Sequence, residues 1–159
     1  MTGFYLFVSS EDSKTYHNDN TYHDFVVELG RAYDLDENSY IKNRSKWSMA
    51  LVEIKLEAKS SDESVAQPEL KDEVLIICDL VTTSYVKGTE ARVLRPLGLN
   101  DKSLFATISQ AYYIELNRLN FSRFKITILD KNLNKLSKKN GWPIEAEWKL
   151  SCTLHFQKI

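Results

Sequence analysis

The chain has 159 residues, 43% hydrophobic and 27% charged, with 21 Lys and Arg against 22 Asp and Glu. Such a chain can bury a core without metal or disulfide staples, and its net charge of −1 gives no bulk electrostatic reason for specific nucleic-acid binding. The opening Met1-Thr2-Gly3-Phe4-Tyr5-Leu6 lacks the features of a secretory signal, and the longest apolar run, Val74 to Cys78, is far too short for a bilayer span.

Taken in chain order, the dominant pattern has a period of two, the signature of strands with one buried and one wet face. Phe4 to Val8 reads as a β-rich run apolar on both faces. A polar stretch, Ser9 to Thr21, leads to Phe25, Val27 and Leu29 alternating with Asp24, Val26 and Glu28. After the polar, partly basic stretch Asp34 to Lys46, Trp47 to Leu56 begins apolar on both faces and then alternates through Glu53 and Lys55. Lys59 to Asp72 is the longest polar stretch. Val74 to Val81 is nearly all apolar and predicts a central strand buried on both faces.

Lys87-Gly88 marks a turn, and Val93, Leu94 and Leu97 predict a shorter strand that Pro96 pushes to an edge or bulge. Beyond Gly98-Leu99-Asn100-Asp101, Ser103 to Gln110 admits a short helix. Tyr112, Ile114 and Leu116 alternate with Tyr113 and Glu115; Phe124, Ile126 and Ile128 with Arg123, Lys125 and Thr127. Asp130 to Gly141 is a lysine- and asparagine-rich loop. The clearest strand is last: Trp148, Leu150, Cys152, Leu154 and Phe156 alternate with polar residues across Glu147 to Gln157.

Eight or nine short strands in one chain of this length mean a sandwich or barrel. Connections of ten residues or more exceed what tight hairpins need, so they favour Greek-key crossings between two sheets. The expected fold is all-β: a single jelly-roll β-sandwich of two antiparallel sheets, one domain over residues 1–159.

Chemistry is sparse. His17, His23 and His155 form no metal-binding motif and read as surface or loop residues. Asp130-Lys131-Asn132-Leu133-Asn134 begins like a calcium loop, but Lys135 stands where glycine is needed and Gly141 where the bidentate glutamate belongs. Cys78 and Cys152 lie among apolar neighbours and read as small core residues, and no nucleophile elbow or Gly-rich phosphate loop is present. Glu145 and Glu147 share one expected strand face rather than facing across a cleft. The basic clusters Lys42, Arg44, Lys46 and Lys131, Lys135, Lys138, Lys139 have no interleaved stacking aromatics and read as solvated loops. No catalytic, cofactor-binding or metal residue is therefore assigned, and an enzyme is not expected. Tyr5, Phe7, Tyr16, Tyr22, Tyr33, Tyr40, Tyr85 and Tyr113 have two readings: core and rim of one sandwich, or an association surface.

Several segments follow one another in a familiar order: Phe4 to Ser10, Asn20-Thr21, Phe25-Val26-Val27-Glu28-Leu29, and Trp47-Ser48-Met49-Ala50-Leu51-Val52-Glu53-Ile54. Then come Ile77-Cys78-Asp79-Leu80-Val81, Val93-Leu94-Arg95, Phe124 to Asp130 and the terminal Leu154-His155-Phe156. This order resembles the penton, or minor capsid, proteins of Polinton/Maverick elements, adintoviruses and virophages. The sequence departs from their pattern before the last strand, where lysines and asparagines replace glycines, and it has no bulky insertion of the kind that forms a vertex spike.

The resemblance implies a single jelly roll that assembles as a pentamer at the vertex of an icosahedral double-stranded DNA virus or virus-like element. Its neighbours would be double-jelly-roll major capsid proteins, its location the virion, and it would need no cofactor. It also implies that Trp47, Ala50, Leu51, Ile54, Leu80, Ile126 and Phe156 are core. Two rival readings of the same strands are a cellular β-sandwich binding module, such as a nucleoplasmin-like pentameric chaperone, and a cupin-type enzyme. The first should carry long acidic tracts, whereas Lys59 to Asp72 mixes both signs. The second rests on fold analogy alone.

Overall fold

The computed structural model describes residues 3–36, 46–59, 72–99, 105–137, 142–143 and 145–159. Its strands are β1 (Gly3–Ser9), β2 (Asp24–Asp34), β3 (Trp47–Ala58), β4 (Asp72–Cys78), β5 (Ser84–Val86), β6 (Thr89–Ala91), β7 (Val93–Leu99), β8 (Phe105–Thr107), β9 (Ile114–Glu115), β10 (Asn120–Asp130) and β11 (Trp148–Lys158).

They form two antiparallel sheets, ordered β1-β11-β3-β8 and β2-β10-β4-β7, with β9 also pairing β3 and β5–β6 standing apart as a hairpin. The chain changes sheet at every step from β1 to β4, then from β7 to β8, β9 to β10 and β10 to β11, and stays in one sheet only from β4 to β7 and from β8 to β9, the hairpin aside. This is why the connections are long, and it makes the sandwich a jelly roll. Ring contacts between Phe4 and Tyr33, at 6.0 Å, set β1 over β2 on one flank. The strand orders then place β7 and β8 together on the opposite flank.

The core lies between the sheets. Trp148, Leu150, Cys152, Leu154 and Phe156 from β11 meet Phe124, Ile126 and Ile128 from β10, with Met49, Leu51, Ile54, Val74 and Ile76 beside them. Each of these large apolar side chains contributes on the order of 1.5–3 kcal/mol by leaving water. An aromatic ladder closes the β1–β2 side: Phe4 stacks on Phe156 at 4.8 Å, and Phe121 on Phe156 at 6.0 Å. Trp47, Ala50, Leu51, Ile54, Leu80, Ile126 and Phe156 are all buried, as the resemblance implied.

Three breaks in strict alternation coincide with shifts of register. Inward residues are three apart at Leu51–Ile54, Leu94–Leu97 and Phe121–Phe124. The register shifts near each: between Thr153 and Leu154 opposite β3, between Ile76 and Ile77 opposite β7, and between Phe121 and Arg123 within β10. In β3 and β7 one extra residue restores the phase that an unbroken strand would invert, whereas beside β10 the excess lies on β2, since Phe121 and Arg123 pair with Tyr33 and Glu28. β7 carries Pro96 and is an edge strand, and β4 lies inside its sheet with Leu75 buried on the face away from the core, both as expected.

Four expectations are corrected. Phe4 to Val8 is not covered on both faces: β1 is an edge strand, leaving Tyr5 58% and Phe7 74% exposed. The expected helix over Ser103 to Gln110 is instead strand at Phe105–Thr107, because these residues close against Glu53, Ile54 and Lys55 at the edge of β3. Tyr112 to Leu116 contracts to the two residues of β9, with Leu116 turning to bridge Val81. Glu145 and Glu147 sit in a 3-10 turn before β11 rather than on its face.

Candidate functional site

The three histidines lie apart, each with its own partner. His17 Nε2 is 2.7 Å from Glu28 Oε1, which also holds Arg123 Nε at 3.3 Å. His23 Nε2 is 2.6 Å from Glu145 Oε1, and His155 Nδ1 shares a 2.7 Å hydrogen bond with the Tyr113 hydroxyl. His23 is buried rather than at the surface, because β2 starts beneath the segment leading into β11. There the Tyr22 hydroxyl donates to Pro143 O at 3.0 Å beside buried Trp142. Among the described residues no three His, Cys, Asp or Glu side chains converge to hold a metal ion.

Cys78 and Cys152 are free and buried. Burial pushes the Cys78 thiol up to about 12 and raises Cys152 as well, so neither supplies a thiolate near neutral pH. The Asp130 carboxylate is engaged by its own turn, accepting from Asn132 N at 2.8 Å and Asn134 N at 2.9 Å, with Leu133 at φ 65. The loop is a closed Asx-type turn. Lys46, Lys131 and Lys135 are described; Lys42, Arg44, Lys138, Lys139 and Tyr40 lie outside the described residues. Among the described residues no helix is long and apolar enough to cross a membrane.

The tyrosine set divides. Tyr22 is core, and Tyr33 packs partly buried against it. Tyr5, Phe7, Tyr16, Tyr85 and Tyr113 are exposed, joined by Phe105 and Tyr112, which the sequence reading did not single out. Their positions follow from the pairing. Tyr5 and Phe7 stand opposite His155 and Thr153, on the outer face of β1. Tyr5 stacks on the His155 ring at 4.4 Å, and Tyr113 meets that ring edge-on at 5.7 Å. Gly3 makes the approach feasible: a Cβ there would lie 2.7 Å from Phe156 O and 3.1 Å from His155 Nε2.

On the opposite flank, Leu75, Tyr85, Val93, Pro96, Tyr112 and Ile114 line an open groove of about 580 Å³ between the β4–β7 edge and the hairpin. Arg95 lies over the Tyr112 ring at 3.8 Å and donates to Gln110 O at 2.8 Å, which fixes one wall. The outer face of β2 and β10 is different: Asp24 pairs with Lys125 at 3.2 Å, and Glu28 with Arg123 and His17. That face is a solvated ion-pair surface, whereas the two flanks are aromatic.

No protein family model matches the chain, and no curated protein matches it. Among solved structures, the chain is similar to the penton protein of mavirus, known from a crystal structure. The match covers 99% of this chain and 100% of that one, with a TM-score of 0.53 and 8% identity. The likeness is one of fold, a jelly roll matched along essentially its whole length.

Proposed function

We propose that the protein is a structural capsid component, the vertex-forming penton of an icosahedral double-stranded DNA virus or virus-like mobile element. The observation that carries this reading is the extent of the likeness to the mavirus penton protein: the match covers 99% of this chain and 100% of that one. The ordered strand motifs, from Trp47 to Ile54 and through to Leu154-His155-Phe156, support it independently of that comparison. So do exposed aromatics without an associated reactive group, since tyrosine and phenylalanine serve association surfaces well.

On this reading residues 1–159 form one jelly-roll domain that works by shape and self-association, not by catalysis. Five copies close a ring whose outer neighbours are double-jelly-roll major capsid subunits, in the virion, without cofactor, membrane span or specific nucleic-acid contact. Native mass by light scattering on a size-exclusion column tests the reading, with negative-stain images of the same peak. A fivefold ring supports it. A monomer that joins no ring over a wide concentration range, even with the major capsid protein of the same element, overturns it.

A further inference from the structure

The four sheet edges are not equivalent. On β2, the Asn20 side chain takes both backbone groups of Val26, at 3.0 and 2.9 Å, and Ser13 Oγ accepts from Glu28 N at 2.8 Å. On the other flank, β7 lacks a donor at Pro96, and β8 and β9 are three and two residues long. Such features blunt an edge against pairing with another chain. β1 has them only at its end, where Asp12 takes the N–H and the carbonyl of Ser9 at 3.0 and 3.2 Å; from Gly3 to Val8 it has no charge, no proline and no bulge, and among the described residues no strand pairs its outer edge. It also carries Phe7 and Tyr5, 74% and 58% exposed.

A closed ring of identical subunits needs two different complementary patches on opposite flanks, because each copy presents one to the copy ahead and the other to the copy behind. The aromatic strand β1 and the groove at β4, β7 and the hairpin occupy those opposite flanks. Their charges complement each other too. Arg31 beside β1 rests on the Tyr33 ring at 4.9 Å and makes no ion pair among the described residues, nor does Glu73 at the rim of the groove. We propose that Tyr5 and Phe7 of one copy seat in the groove lined by Tyr85, Val93, Pro96 and Tyr112 of the next, with Arg31 of the first meeting Glu73 of the second. The occupant of both surfaces is thus a second copy of this chain, joined head to tail. This inference rests on the ring proposed above.

The test uses the full chain and two variants at exposed positions, Phe7→Glu and Tyr85→Glu. A parent-like far-UV circular dichroism spectrum and a cooperative thermal transition establish that each variant is folded, the midpoint itself being free to drop as the ring is lost. Each variant alone should lose at least about thirtyfold in self-association and run as a monomer. Mixed in equal amounts they should form a heterodimer that grows no further, because each keeps one working half. Assembly unchanged in either variant, or a mixture that stays monomeric, overturns the head-to-tail contact while the parent ring leaves the vertex reading standing. A parent chain that forms no ring, even with the major capsid protein of the same element, overturns both.

Discussion

Asn20 shows how one side chain can replace a missing strand. It is 6% exposed, and its amide donates to Val26 O while its carbonyl accepts from Val26 N, as a neighbouring backbone would. Asn20→Ala leaves both groups without these partners and is expected to cost about 1–3 kcal/mol, read from urea unfolding. Asn20→Asp removes the donor alone and should fall between. A second residue-scale effect concerns pH. Cys78, Cys152 and Tyr22 are weak acids held neutral: burial raises all three, and the nearby Glu145 charge adds to the rise at Tyr22. The folded chain therefore holds these protons more tightly than the unfolded chain does. Their contribution is complete below the unfolded thiol value, and stability falls once pH rises above about 9, by up to ~1.4 kcal/mol per pH unit for each group. Unfolding midpoints at alkaline pH measure this, and a Cys78→Ala, Cys152→Ala double variant should show a shallower decline.

At the scale of elements, β11 pairs with β1 on one side and β3 on the other, so its inward row is the spine of one sheet. Leu154 is fully buried there. Leu154→Asp sets an unpaired carboxylate in the core and should abolish soluble folding; a soluble variant that unfolds cooperatively would contradict the strand's orientation. The β5–β6 hairpin depends on its turn, where Lys87 and Gly88 both have positive φ, 49 and 82. That is the type I′ geometry matching strand twist. Gly88→Ala should cost about 1 kcal/mol locally, seen as faster amide exchange from Ser84 to Ala91 with the global midpoint nearly unchanged. The alternation of β11 and β10 was plain in the sequence because each has one wet face. The three-residue spacings at Leu51–Ile54 and Phe121–Phe124 were visible as well, although only pairing turns such a gap into a shift of register rather than an end. Phe105–Thr107 was not legible as a strand: three residues carry too little period, and their extended conformation comes from the free edge of β3.

For the whole molecule, the aromatic flanks give assembly and folding separate determinants. Tyr113 is 39% exposed, and it holds His155 beneath Tyr5. Tyr113→Ser should therefore lower stability by no more than about 1–2 kcal/mol while weakening the ring, since the Tyr5 knob loses its backing. Loss of the fold with the ring, or an intact ring, would show that His155 does not transmit this support. The sheets themselves are held by inward rows that no surface change touches, so subunits with altered flanks should remain folded.

The sequence by itself determined the class of fold, the core residues and the absence of familiar catalytic motifs. These follow from periodicity and composition, which are local properties that each strand states for itself. Only the tertiary structure decided what Phe4 to Val8 does. Its apolar run has the composition of a buried strand, and exposure depends on which strands stand on either side of it. With β11 on one side and none of the described residues on the other, the same residues become an open edge with two aromatic knobs. The contact of buried His23 with Glu145 was likewise invisible, because its members are 122 positions apart and meet only when the segment leading into β11 crosses the start of β2. Long-range pairing sets which equivalent-looking residues face water, and it separates the core tyrosines from those free to meet another molecule.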